Sequence, residues 1–147
     1  MRALGLDVGE RRIGVAVGAV EDGLAVPVEV IDRNSVGGLW EAIERYATSR
    51  DADVIVVGMP LSLDGTMGPQ AQETAAFVNE LKSRVSVPVE TWDERYSSVE
   101  ADRLLRVASG GRNSRKRGAE LRRTAQDAVA ASVMLQSYLD AKRGERR

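Results

Sequence analysis

The stretch that decides the fold is Arg2-Ala-Leu-Gly-Leu-Asp-Val-Gly-Glu-Arg-Arg-Ile-Gly-Val-Ala-Val-Gly18. Leu4, Leu6 and Val8 alternate with Ala3, Gly5 and Asp7, and Ile13, Val15 and Val17 alternate with Gly14 and Ala16, which is the period of paired strands. Gly9-Glu10-Arg11-Arg12 between them turns the pair into a hairpin. Asp7 is anomalous there. An aspartate inside a strand, among small and apolar neighbours, is costly to desolvate unless a donor or a positive charge meets it. A divalent cation is one such partner; an ordinary hydrogen bond to the turn is the other. Gly5, Gly9 and Gly14 leave room for another backbone or a ligand.

Outward from the hairpin, Leu24 to Ile31 predicts a third strand, placed at an edge because Pro27 has no N–H to give to a ladder. Ser35 is a candidate cap for a helix from Val36 to about Arg50, whose buried stripe is Leu39, Ile43, Tyr46 and Ala47. The β-branched run Asp53-Val-Ile-Val-Val-Gly58 predicts a central parallel strand covered on both faces. A Gly- and Pro-rich loop then reaches Pro69, suited to a first helical turn, and Thr74, Phe77, Val78, Leu81 and Val85 mark that helix's inner face. Val87 to Trp92 predicts a fifth strand, pushed toward an edge by Pro88. Three antiparallel strands followed by two parallel ones, with helices on both faces, make an α/β fold with a mixed five-stranded sheet. Its ligand crevice is expected at the carboxyl ends of the fourth and fifth strands, beside the first.

The second acidic position falls at that crevice, in Thr91-Trp92-Asp93-Glu94-Arg95-Tyr96-Ser97-Ser98-Val99-Glu100. Neighbouring residues leaving a strand point opposite ways, so only one of Asp93 and Glu94 is expected to face inward. Glu94 has the longer reach, and Asp93 stays open as the alternative. Ser97 and Glu100 form a capping box for a helix through Leu104, Leu105 and Ala108. The third acid is Asp127, which shares a helical stripe with Ala131, Met134 and Tyr138 and so places a carboxylate on an otherwise apolar face. Together Asp7, Glu94 and Asp127 are candidate metal ligands and catalytic residues.

Composition restricts the chemistry. The chain of 147 residues has no cysteine and no histidine, so any metal is held by oxygen, which favours Mg2+ or Mn2+. Such ions activate water for attack on a phosphodiester and neutralise the leaving oxygen. Residues 112–147 carry ten Lys or Arg against four acids, whereas residues 1–111 carry eleven basic and eighteen acidic groups. That asymmetry points to a polyanion, contacted through a basic, flexible loop at about residues 109–118 with Arg112, Arg115, Lys116 and Arg117, and through Arg12 and Arg95. Residues 143–147 are expected to fray. No apolar run spans a bilayer and no basic-then-apolar leader begins the chain, so a cytoplasmic protein is expected, built as one domain over 1–147, monomer or homodimer.

Gly5-Leu-Asp-Val-Gly9 with Arg12-Ile-Gly-Val-Ala16, Val57-Gly-Met-Pro-Leu61 with Gly65 and Gly68, Asp93-Glu-Arg-Tyr-Ser-Ser98, and Asp127-Ala-Val-Ala-Ala131 with Leu135-Gln-Ser-Tyr-Leu139 resemble the YqgF family, also called RuvX. This group is assigned as pre-16S rRNA nucleases and Holliday junction resolvase homologues. The resemblance implies an RNase H-like fold, a metal-binding triad of Asp7, an acid of the Asp93-Glu94 pair and Asp127, and a role in trimming the 5′ end of pre-16S rRNA. Structured RNA is then the expected partner. Branched DNA, cut by a resolvase-like endonuclease, is the alternative, and a nucleic-acid-binding module without catalysis is a third possibility. An actin-like ATP-binding fold is disfavoured, since no second phosphate loop is present.

Overall fold

The computed structural model describes residues 1–34, 38–96 and 116–145, with the side chains of Tyr96 and of residues 116–125 left aside. The elements are β1 (Arg2–Val8), β2 (Arg12–Ala19), β3 (Leu24–Asp32), α1 (Leu39–Ser49), β4 (Val54–Met59), α2 (Pro69–Arg84), β5 (Val89–Asp93), a 3-10 turn at Glu94–Tyr96, and a long helix α3 (Lys116–Glu145). The sheet order is β3-β2-β1-β4-β5. β1 pairs antiparallel with β2 and β2 with β3, while β4 lies parallel to both β1 and β5. The mixed five-stranded sheet expected from the sequence is therefore present, with β3 and β5 at its edges.

Strand alternation sends different residues to the two faces. Leu4, Leu6, Ile13, Val15, Ile55 and Val57 meet Ile43 of α1 and Phe77 and Leu81 of α2 in one core. On the other face Ala3, Ala16, Val54 and Val56 meet Ala131, Met134, Leu135, Tyr138 and Leu139 of α3. The residues on the α3 side of β1 and β2 are small, and the helix comes down onto them. A Cβ on Gly5 would stand 3.0 Å from the Leu135 Cβ, and one on Gly18 would stand 2.7 Å from Leu139 Cδ1. At Gly14 it would be 1.9 Å from the backbone oxygen of Asp127, so no side chain fits there unless the helix moves.

Several boundaries differ from the sequence expectation. Helix α1 begins at Leu39, with Gly38 as its N-cap and no side-chain capping bond, instead of at Val36 behind Ser35. Gly38 takes φ 90°, a backbone conformation open to glycine, and this turns the chain immediately before the helix. Residues 35–37 lie outside the described residues. Strand β5 starts at Val89, because Pro88 stands at its threshold and offers only its carbonyl, which accepts the Ile55 N–H at 2.9 Å. In β3 the register shifts where Val15 faces Glu29 and Ala16 faces Pro27, a bulge that absorbs the proline. Helix α3 already includes residues 116–118 of the expected loop and continues to Glu145, through part of the expected frayed tail. The helix expected after the Ser97–Glu100 capping box, with Leu104, Leu105 and Ala108, lies outside the described residues, as do Arg112 and Arg115. Among the described residues no helix is long and apolar enough to cross a membrane.

The Gly14 contact yields a test of the packing. Overfilling a close-packed site costs about 1–3 kcal/mol and more when backbone must give way. Gly14→Ala is therefore expected to lower unfolding stability by at least about 2 kcal/mol in urea denaturation. An unchanged midpoint would show that α3 does not lie on β2 at this point.

Candidate active site

Asp7 occupies the carboxyl-terminal half of β1, on the same face as Ala3 and Gly5, beneath α3. Its antiparallel partner on β2 is Gly14. On the other side, the pairing of Leu6 with Val57 brings Gly58 of β4 to the level of Asp7. Asp7 thus has glycine on both flanks, and each glycine admits a different neighbour. A Cβ on Gly58 would lie 2.4 Å from Glu94 Oε1, so the Glu94 side chain covers that glycine. A Cβ on Gly14 would collide with the backbone of α3 at Asp127.

Glu94 opens the 3-10 turn that follows β5, and its carboxyl is hydrogen-bonded to that of Asp7. Burial, the bond to Asp7, and the charges of Asp7 and Asp93, in that order, push the Glu94 carboxyl up to about 9. That shift favours the protonated form of Glu94 at neutral pH. Asp93, the preceding residue, turns the other way. It accepts from the backbone N–H of Arg95 at 3.0 Å and from Arg95 Nε at 2.9 Å, and these guanidinium bonds hold its carboxyl below the usual carboxylate range. Arg95 also donates through Nη1 to the Leu63 carbonyl at 3.2 Å, tying the turn after β5 to the loop after β4. The divergence expected of two adjacent residues at a strand end is what separates Asp93 from Glu94.

Asp127 lies on α3 in line with buried Ala131, Met134 and Tyr138. Its carboxylate accepts a hydrogen bond from Arg12 Nε at 2.8 Å, with the two side chains 33% and 32% exposed. This partner comes from β2, across the sheet, and not from the helix itself. Among the described residues no three acids stand close enough together to hold a metal ion. Asp7 and Glu94 meet, whereas Asp127 is brought alongside by its backbone and directs its carboxylate to Arg12. Arg12 and Arg95, expected at a nucleic acid, are both bonded to acids here. Lys116 and Arg117 sit in the first turn of α3. Gly58 is the site residue that sequence reasoning placed at the end of the fourth strand and in the family motif without a role at the site. The available signal was its place directly after the β-branched run, one step beyond the residue level with Leu6.

A mixed sheet in this order with helices on both faces is the RNase H-like fold of the resolvases. Thermus thermophilus RuvC in complex with a Holliday junction substrate shares it at TM-score 0.55 and 16% identity, over 97% of this chain and 98% of that one. The fowlpox virus resolvase in complex with Holliday junction DNA shares it at TM-score 0.58 and 12% identity, over 97% and 99%. Residues 1–141 match the RuvX family, described as Holliday junction resolvase. A protein of Desulforudis audaxviator, provisionally named a pre-16S rRNA nuclease, is 37% identical over 150 residues and 99% of each chain. One of the same name from Chloroflexus aggregans is 42% identical over 140 residues, covering 95% of this chain and 94% of its own. The chain belongs to the RuvX family.

The protonated pair has a consequence for stability. Folding raises the Glu94 carboxyl from 4.5 to about 9, so between those limits the folded chain binds a proton that the unfolded chain releases. A form that binds more protons loses stability as pH rises. In chelator-treated buffer the melting temperature is therefore expected to fall between about pH 5 and pH 9, with Glu94→Gln, which keeps a donor toward Asp7, flattening the slope. Parallel slopes for the two proteins would refute the shared proton.

Proposed function

We propose that this protein is a divalent-metal-dependent nuclease that hydrolyses phosphodiester bonds and trims the 5′ end of pre-16S rRNA in the cytoplasm. The observation that carries the proposal is the Glu94 carboxyl set against Asp7 over Gly58. Two half-buried carboxyls in contact are unfavourable by themselves and suited to gripping a hard cation. Their donor set is oxygen alone, in a chain without histidine or cysteine, which fits Mg2+ or Mn2+. Asp7 and Glu94 would hold the ion, with Asp127 completing the set; Asp93, engaged by Arg95, serves less well. Bound there, Mg2+ or Mn2+ supplies charge that acidifies an attacking water and stabilises the leaving oxygen.

The protein's own part is positional. Asp7 is fixed on the central strand, Glu94 is fixed by the turn that Arg95 bonds to the loop after β4, and Asp127 is fixed by α3. With no imidazole in the chain, an attacking water would give its proton to solvent, to a carboxylate or to a substrate phosphate. Arg112, Arg115, Lys116 and Arg117 supply positive charge for the nucleic-acid backbone. The name carried by the relatives from Desulforudis audaxviator and Chloroflexus aggregans favours pre-16S rRNA as substrate. The family description favours a second reading, a resolvase-like endonuclease acting on branched DNA.

Purified protein incubated with Mg2+ or Mn2+ and either a pre-16S rRNA fragment or a four-way DNA junction separates these. Divalent-ion-dependent shortening at the RNA 5′ end is expected, and symmetric nicks on the junction in preference would establish the second reading. Asp7→Asn, Glu94→Gln and Asp127→Asn should each reduce cleavage at least about a hundredfold, since each forfeits several kcal/mol of charge stabilisation. Binding without turnover under every ion, or Asp7→Asn cutting like the parent, would leave a nucleic-acid-binding module.

A further inference from the structure

Arg12 stands two positions before Gly14 on β2, so it projects to the same side of the sheet as α3. Its Nε–H reaches Asp127 Oδ2 at 2.8 Å. The main chain of Asp127 cannot approach the sheet any further, because its carbonyl already occupies the place of a Gly14 side chain. Only the torsions of the Asp127 side chain remain to decide where its carboxylate goes. Across the ladder from Gly14 is Asp7, with the Glu94 carboxyl over Gly58 on its far side. One guanidinium therefore holds the third carboxylate while the other two face each other, and both members of the ion pair are exposed enough to exchange partners.

From this geometry we infer that Arg12 is a positioning residue that competes with the divalent cation for Asp127. The inference rests on the metal-dependent reading given above and adds a regulating element to the same site. With Arg12 on Asp127 the ligand set is incomplete. A cation entering beside Asp7 and Glu94 draws the Asp127 carboxylate inward only by breaking the guanidinium bond. The displaced guanidinium stays at the rim, where a substrate phosphate offers it two oxygens in place of the carboxylate it lost. Nucleic acid and cation then assist each other: phosphate takes Arg12, and Asp127 is released to the metal. Substrate-free protein is accordingly held at reduced metal affinity.

The test uses Mn2+ alone, without nucleic acid, and reads bound ion by calorimetry and by loss of the free Mn2+ paramagnetic signal. Arg12→Gln is expected to bind Mn2+ roughly threefold to tenfold more tightly than the parent, the range spanned by a half-exposed charge-assisted pair. Arg12→Lys, which keeps the charge, should return affinity toward the parent, and combining Arg12→Gln with Asp127→Asn should abolish the gain. Arg11→Gln removes the same charge from the neighbouring exposed position and should produce less than a twofold change. A merely structural role for Arg12 would weaken Mn2+ binding instead. If Arg12→Gln melts below the assay temperature, Arg12→Met retains the aliphatic stem and carries the same expectation. Equal or weaker binding in the folded variant, or an equal gain in Arg11→Gln, overturns the competition. A parent that takes no Mn2+, or an Asp7→Asn variant that binds as the parent does, overturns the metal-dependent reading and this inference together. Parent binding that needs Asp7, with no gain from Arg12→Gln, overturns this inference alone.

Discussion

The absence of a side chain at Gly14 and at Gly58 sets how closely anything can approach Asp7. Each glycine flanks the aspartate on a neighbouring strand, and each is filled by a different part of the chain: α3 backbone over Gly14, the Glu94 carboxyl over Gly58. A methyl group at either place would displace one of the acids from the central strand. The cost of a strand glycine is entropic and of the order of 1 kcal/mol, which the packing of Leu135 and Leu139 of α3 onto the sheet readily offsets. Close approach follows from small residues, and carboxylate contact follows from close approach.

Charge is distributed around that contact unevenly. Asp93 and Asp127 each have an arginine, Arg95 and Arg12, at hydrogen-bonding distance. Glu94 lies against Asp7, and burial together with the neighbouring carboxyls favours its protonated form. Two half-buried carboxyls in contact, beside two others paired with arginine, gather oxygen donors at the carboxyl end of β1. Arg95 has a further mechanical role, since its bond to the Leu63 carbonyl fixes the turn from which Glu94 projects. The five strands and the edge position of β3 follow from alternation and from Pro27, which is why both were legible in the sequence. The start of α1 was not, because a capping serine at position 35 and a glycine pair at 37 and 38 give opposite instructions, and the φ of Gly38 prevails. Nor could the partner of Asp127 be read from helix spacing, which looks four residues either way, whereas Arg12 is 115 residues distant. The Asp93–Glu94 alternation was legible as a choice that reach tilted toward Glu94, and the gap above Gly58 is what Glu94 fills.

The two faces of the sheet divide their labour. Large branched residues on the α1 and α2 side form a core with aromatic support from Phe77, against which Trp40 packs with ring centroids 5.0 Å apart. On β1 and β2 the α3 side is lined by Ala3, Gly5, Gly14, Ala16 and Gly18, and the bulk there is supplied by the helix. That reversal leaves the carboxyl end of β1 open to polar groups without puncturing the main core.

Helix α3 is located by contacts spread along its length. Leu135 rests on Gly5, Leu139 rests on Gly18, and Tyr138 packs edge-on to Trp92 at 5.6 Å while its hydroxyl donates to Glu90. Trp92 in turn donates to Ser137 at 3.1 Å. These contacts lie eight to twelve residues beyond Asp127, roughly 12–18 Å along the axis at 1.5 Å per residue. They fix the rotation and height of the helix independently of the Arg12–Asp127 bond. An ion pair that is not needed to hold the helix in place can open and close without disturbing it, because the backbone of Asp127 stays against Gly14 whichever partner its carboxylate takes.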